Sequence, residues 1–288
     1  MSVFKNKKVI FLFLFPALVF IIVFLHYPLV MSIAKSFTRW DGYFNTNFIG
    51  LANYRELLKD RSIMQSLQHT LKLMIYVIIF EVGFGLLLAL FVDSVKKGAQ
   101  FFRTVYFFPI VISGAAIGML FTLIFQYYGG LLNGIIGKFG AAPIEWVTKS
   151  SAMNIVSIPT VWQYVGFYFV IMLTAINNVP EDIYESAYLD GITGITKTFY
   201  ITIPMIADVI KVCLVLAITG VLKVFDIVQI MYEGGPLGST EVLGTYMYRK
   251  AFTDERFGYA CAISVLIVIL GIILSVIVNK IFKTHNEY

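Results

Sequence analysis

The sequence predicts an all-α membrane protein with six transmembrane helices. Three observations predict it. The 288 residues are 59% hydrophobic and only 14% charged, against roughly 45–50% and about 25% in soluble domains. Mean hydropathy is +0.83. The apolar residues arrive in runs of about 20, the length that crosses the hydrocarbon core of a bilayer. Such a chain could not cover its surface with polar groups, and it is far too apolar to remain disordered.

The first span is read at about residues 9–31, behind the basic start Lys5, Lys7 and Lys8. A charged start and an apolar run also fit a signal peptide. The run is long, however, and no small-x-small cleavage site follows, so it reads as an uncleaved helix. The remaining spans fall at about 70–92, 104–126, 152–176, 206–230 and 258–280. Between them lie a long loop at 32–69 ending in an amphipathic piece (53–68), a short basic turn at 93–103 and a Gly-rich polar loop at 127–151, with two more loops at 177–205 and 231–257. The chain therefore divides into an N-terminal span with its following loop (1–69), a core transmembrane domain (70–282) and a short tail (283–288), the loop being extracytoplasmic and the tail cytoplasmic in the orientation that the resemblance below implies. An even number of spans places both termini on one side. Lys and Arg divide evenly between the two sets of loops, so the positive-inside rule does not choose the side.

Several chemistries find no support. The two cysteines, Cys213 and Cys261, sit inside apolar runs and form no framework. His26, His69 and His285 are scattered, so no metal-ligand spacing exists. Gly137-Lys138 lacks the upstream glycine and following Ser/Thr of a P-loop. The net charge of +5 is spread out, without the basic stripe that nucleic acid requires. No nucleophile constellation marks a membrane-embedded enzyme.

Residues 178–204 form the most informative loop. Asn178 can cap a helix, Pro180 suits its first turn, and Glu181 and Asp182 favour the positive end of its dipole. Gly191 can supply the left-handed residue that ends it. Thr193 can then cap a second short helix through Tyr200, and Pro204 suits the first turn of span five. The expected result is a helix–turn–helix at the membrane surface. Its small or apolar face (Ile183, Ser186, Ala187) and its acidic remainder suit either a docking element or a solvated amphipathic loop.

Within this loop Glu185-Ser186-Ala187, then Asp190-Gly191, then Ile201-x-Ile203-Pro204 resemble the EAA motif of ABC importer permeases, which runs E-A-A, two residues, D-G, then I-x-L-P. Val179-Pro180 and Tyr184 also match. Ser186, Ile192 and Ile203 depart from the usual Ala, Ala and Leu by size-tolerant changes. The resemblance implies a cytoplasmic coupling helix that docks an ATPase subunit through Glu185, Ser186, Ala187, Asp190, Gly191 and Pro204, which puts both termini inside.

A second set of residues is similar to sugar permeases of the maltose and glycerol-phosphate type. It comprises Phe48-x-Gly50-Leu51-x-Asn53-Tyr54, Phe225-Asp226, Gly234-Gly235-Pro236, Thr240-Glu241, Tyr248, Ala251-Phe252 and Gly258-Tyr259-Ala260. This resemblance implies half of the pore of a binding-protein-dependent sugar importer in a bacterial plasma membrane. A second permease, two ATPase subunits and an extracytoplasmic solute-binding protein are the implied partners. The chain itself would be no enzyme and bind no cofactor, since ATP and Mg would sit in the ATPase chains.

Such an importer needs a polar, aromatic-lined path. In span four, Gln163, Tyr164, Gly166, Phe167 and Tyr168 supply hydrogen-bonding and stacking groups, with Gly166 expected to let a ligand near the backbone. Interhelical packing is the plainer reading of the same run. In span five, Lys223 and Asp226 stand at i, i+3, a spacing that lets them pair on one helix face. They suit either the translocation path or a structural ion pair, and Gly220 shares the face. Glu81 is another intramembrane carboxyl. A proton-coupled secondary transporter would use Glu81, Lys223 and Asp226, but no internal repeat accompanies them. An ABC importer of a non-sugar solute is a further alternative. Gly114-x-x-x-Gly118 indicates close helix packing and nothing more.

Overall fold

The computed structural model describes residues 7–95 and 98–282. Lys5, Lys96, Lys97, His285 and the 283–288 tail lie outside the described residues. Among the described residues, four helices are long and apolar enough to cross a membrane. They are α1 (Val9–Lys35), α3 (Arg61–Ser94), α7 (Ala152–Asn177) and α13 (Phe257–Ile281). Two further spans are bent pairs. α4 (Ala99–Val111) meets α5 (Gly114–Phe125) at 95°, and α9 (Gly194–Met205) meets α10 (Ala207–Val221) at 68°. Counting each bent pair as one gives six, as the sequence predicts.

The bends are the first departure from the sequence reading. Span three is no continuous helix. Pro109 contributes no N–H in the last turn of α4, Ile112 is extended at φ −79°, ψ 137°, and Ser113 caps α5 through its Oγ, which accepts from the Ala116 amide at 3.3 Å. Span five also breaks. α10 ends at Val221, and a separate short helix, α11 (Asp226–Tyr232), follows.

The chain forms two compact units, Met1–Asp60 with Met247–Ile269 and Arg61–Tyr246 with Leu270–Tyr288. In the first unit, the expected long loop contains an antiparallel hairpin. β1 (Thr38–Trp40) pairs with β2 (Thr46–Phe48) in the register Arg39↔Asn47, and a short helix, α2 (Ala52–Leu57), follows. Asn53 explains part of the motif around it, because its Nδ2 donates to the carbonyls of Ser36 (2.8 Å) and Thr38 (2.9 Å). The amino end of α13 lies on this hairpin. A Cβ at Gly258 would overlap the Thr38 carbonyl, so only glycine fits. The Arg256 guanidinium pairs with Glu56 at 2.6 Å, and the Tyr259 hydroxyl donates to Asp60 at 2.8 Å.

In the second unit, α7 is the central post. It packs against the second half of α3 and against α4. Half of its most apolar window is buried, against none of α1's. An apolar helix left uncovered by its own chain is solvated by lipid or by another subunit, since lipid tails are as apolar as leucine. The amphipathic piece does not end before span two as expected. Its second half is the first turns of α3, which runs unbroken from Arg61. Between Val77 and Gly83 that helix widens into a π turn, a feature frequent at functional sites.

Candidate functional site

The second unit holds a half-open cavity of about 390 Å³. Its wall is drawn from the π turn of α3, the start of α5, the middle of α7, the end of α10 and the break before α11. Gln163, Tyr164, Phe167, Tyr168, Gly220, Lys223 and Asp226 all line it. Residues predicted from two separate spans thus meet around one space. Phe167 and Tyr168 present their rings edge to face at 5.3 Å. Gln163 is buried, and its Nε2 donates to the carbonyl of Ile112 at 3.0 Å, so one of its hydrogen bonds serves the α4–α5 elbow.

Two expectations fail here. Gly166 does not line the cavity. It faces α4, where a Cβ would overlap the Tyr106 carbonyl, so glycine is required for helix packing rather than for ligand approach. Lys223 and Asp226 do not pair along a helix face. The helix ends at Val221, Phe225 takes φ −142°, ψ −59°, and Asp226 opens α11. Among the described residues no ion pair joins them. Both side chains are exposed to the cavity from separate turns of backbone.

Glu81 and Thr160 join the lining. Thr160 was legible as the residue one turn before Gln163 on the same helix. Glu81 sits in the π turn at 2% exposure, and its Oε1 has no hydrogen-bond partner. Gly114 brings α5 against Asp226, and Gly118 brings it against Ile230, where added Cβ atoms would stand 3.2 and 3.1 Å from the neighbouring Cβ. The small-residue pair therefore packs α5 on α11. Among the described residues no cluster of His, Cys, Asp and Glu is suited to a metal ion.

The predicted surface hairpin forms. Its first helix, α8, covers Glu181–Leu189, with both acidic residues in the first turn. Gly191 takes φ +76°. Its amide and that of Ile192 bond back to Tyr188 (3.0 Å) and Ala187 (2.8 Å), a left-handed helix end. The details differ from expectation at four places. Asn178 caps the end of α7, and Pro180 is the N-cap of α8. The second helix, α9, runs past Tyr200 to Met205 and contains Pro204, so the bend into α10 falls at Ile206. Ile183 and Ala187 turn inward. The outward surface carries Glu185, Ser186, Tyr188 and Leu189, the last two 72% and 85% exposed. Tyr184 ties the hairpin together, its hydroxyl 3.4 Å from that of Thr202 and the Lys197 ammonium 4.6 Å above its ring.

The Gly234-Gly235-Pro236 loop is pinned against α3. The Leu243 amide donates to Thr70 Oγ1 at 3.1 Å, His69 Nδ1 lies 2.9 Å from the Glu241 carbonyl, and Thr240 Oγ1 donates to the Gly235 carbonyl at 2.7 Å.

The probable permease YurN of Bacillus subtilis is 36% identical over 98% of this chain and 99% of its own length. The multiple sugar-binding transport permease MsmF of Streptococcus mutans is 29% identical, with 96% of each chain covered. A chain of a bacterial ABC transporter that imports the acidic polysaccharide alginate superposes with a TM-score of 0.85 over 98% of both chains at 22% identity, a likeness of fold. Residues 81–285 match the family described as binding-protein-dependent transport system inner membrane component. The match spans the cavity-lining helices and the surface hairpin, and the chain belongs to that family.

Proposed function

We propose that the chain is the permease subunit of an ATP-driven, binding-protein-dependent sugar importer in a bacterial plasma membrane, where it forms half of the translocation pore. One observation carries the reading. A cavity inside the helical unit joins the rings of Tyr164, Phe167 and Tyr168 to the polar groups of Gln163, Lys223 and Asp226. Sugars need both, hydroxyl partners and apolar ring faces. The names of relatives such as MsmF and the sn-glycerol-3-phosphate permease UgpA support a sugar or sugar derivative.

The α8–α9 hairpin is the proposed coupling element. Its exposed Tyr188 and Leu189 flanked by Glu185 and Asp190 fit a cleft in an ATPase subunit on the cytoplasmic side, with both termini on that side. A second, related permease completes the pore. An extracytoplasmic binding protein delivers the sugar, and ATP with Mg is held by the ATPase chains. Transport then proceeds by alternating access, driven by the different affinities of ATP and substrate for the two conformations.

Affinity purification of the tagged chain with mass identification of its partners tests this reading, together with sugar uptake in a strain lacking the chain. Recovery of a second permease and an ATPase chain, with loss of uptake of one sugar class, is the expected result. A chain that purifies alone, and whose transport follows a proton gradient without ATP, would overturn it.

A further inference from the structure

Among the described residues, the non-glycine positions with a left-handed φ are Glu233 (+47°), Leu237 (+52°) and Glu255 (+53°). All of them fall on the connection between spans five and six. Left-handed backbone is costly for a residue with a Cβ, and it concentrates where function holds it in place. Leu237 is the sharpest case. The Ser239 amide donates to the Pro236 carbonyl at 3.0 Å, which closes a four-residue turn with Leu237 and Gly238 at its centre. Both central residues have positive φ, +52° and +77°, as in a type I′ turn. Asn, Asp or Gly ordinarily fills the first central place, because these residues tolerate that φ. A leucine there is strained, and its side chain recovers little from its own chain, being 83% exposed.

The turn is also held against relaxation. The Thr240 amide donates to the Gly234 carbonyl at 3.3 Å and the Glu241 amide to that of Gly238 at 3.2 Å. The Thr240–Gly235, His69–Glu241 and Leu243–Thr70 bonds tie the same loop to itself and to α3. A strained backbone fixed by its surroundings, with an apolar side chain held out in the open, presents that side chain to something. What offsets the strain lies outside the chain.

The position of the turn selects the partner. The turn lies one span beyond the α8–α9 hairpin, hence on the opposite side of the membrane. α11 joins it to the cavity. Asp226, the first residue of α11, lines the cavity, and the seven residues of this helix carry the chain about 10 Å further. Glu233 caps the far end of α11 and is exposed, a carboxylate that an anionic lipid surface would repel.

We infer that Leu237 is an anchor of the docking surface for the extracytoplasmic solute-binding protein, seated in an apolar pocket of that protein. The identity of the partner rests on the function proposed above, whereas the presentation of Leu237 does not.

Leu237→Gly is the decisive variant, because glycine takes a left-handed φ without strain while the side chain is removed. Leu237→Asn serves as its polar counterpart, since asparagine also suits the turn. The transporter is assembled with its partner chains in lipid nanodiscs. The probe is the sugar-loaded solute-binding protein whose addition raises ATP hydrolysis by the unaltered transporter. Both variants should assemble with the second permease and the ATPase chains, keep the basal rate of ATP hydrolysis and unfold at the same or a higher temperature. The binding-protein concentration giving half-maximal stimulation should rise about tenfold or more in each, the loss of one fully buried leucine side chain. An unchanged half-maximal concentration overturns the inference. Loss of the second permease from the purified complex also overturns it, and would place Leu237 in the interface between the permeases. A changed basal rate without binding protein overturns it as well, and would place Leu237 against lipid or the pore. A transporter that no solute-binding protein stimulates would instead sink the proposed function, and the inferred partner with it.

Discussion

Gln163 and Ile112 are joined across the elbow of the third span, where the side-chain amide of one donates to the backbone carbonyl of the other at 3.0 Å. The bond gives Gln163 two duties. It lines the cavity, and it satisfies a carbonyl freed by the break after Val111. Gln163→Ala should therefore lower stability by about 1 kcal/mol as well as impair transport. Gln163→Glu, which loses the donor, should do the same. Thermal unfolding of the purified transporter checks this. A variant that loses transport with unchanged stability would assign Gln163 to the ligand alone.

Tyr168→Ala should also cost stability, by about 3 kcal/mol or more for a buried aromatic side chain, so its transport effect is read on the folded fraction. Tyr168 lines the cavity and is only 5% exposed, with its ring against Phe167. Loss of its stacking surface should reduce sugar transport by about tenfold per 1.4 kcal/mol lost, measured as uptake at matched expression. Unchanged uptake would remove the α7 aromatic run from the sugar path.

Gly166→Ala should injure folding rather than transport specificity. The added methyl would meet the Tyr106 carbonyl at overlapping distance, and relief requires moving α4 and α7 apart. Overpacking of this kind costs about 1–3 kcal/mol. Size-exclusion profiles of the detergent-extracted chain should show loss of the folded peak, while Gly220→Ala, with open space around it, should not.

Gly191→Pro and Glu185→Lys probe the hairpin. Gly191 holds φ +76° and donates its amide to Tyr188, and proline can do neither. Glu185→Lys reverses charge on the exposed face of α8. Both variants should insert normally yet lose sugar-stimulated ATP hydrolysis in the assembled transporter. Normal stimulation in both would remove coupling from this hairpin.

Asp41 predicts a pH response outside the membrane. Its carboxylate accepts from the Tyr43 amide (2.9 Å) and from Asn45 Nδ2 (2.7 Å). The Tyr43 amide, foremost among its causes, lowers its pKa below the ordinary aspartate value. A depressed pKa in the folded chain means that the stabilisation is fully present above the usual aspartate range, and is lost as pH falls through the lower folded value. The β1–β2 hairpin should thus be unaffected between about pH 7 and 5, above the reference aspartate pKa, and loosen only in stronger acid. Trp40 fluorescence reports it, and Asp41→Asn should abolish the acid step. A step near neutral pH would contradict this assignment.

The spans were legible because a bilayer demands long apolar runs, and the sequence supplies six. Their breaks were harder to see. Hydropathy reports where a segment lies but not its dihedral angles, so Pro109 and Ser113 passed inside an apparently continuous span. The Lys223–Asp226 pairing assumed a helix that ends two residues earlier. The β hairpin was missed because three-residue strands carry almost no periodicity, although Asp41-Gly42 is a turn signal. Gln163, Phe167 and Tyr168 were legible as a polar and aromatic run in apolar surroundings. The purpose of Gly166 was not, because it depends on which backbone lies opposite. Glu81 was visible as an intramembrane acid, but its lack of a partner is a property of the folded neighbourhood.

The pinning of Leu243 to Thr70 joins positions 173 apart, and that of Glu241 to His69 positions 172 apart. Chains are synthesised at roughly 5–20 residues per second, so α3 waits about 9–35 s in the membrane before its partner loop exists. Thr70 is prepared for the delay. Its hydroxyl donates to the Ser66 carbonyl one turn back at 2.8 Å, a bond the helix makes alone, while the lone pair that later receives the Leu243 amide stays available. Chain order makes the second bond the later one: the threonine is satisfied early as a donor and completed late as an acceptor.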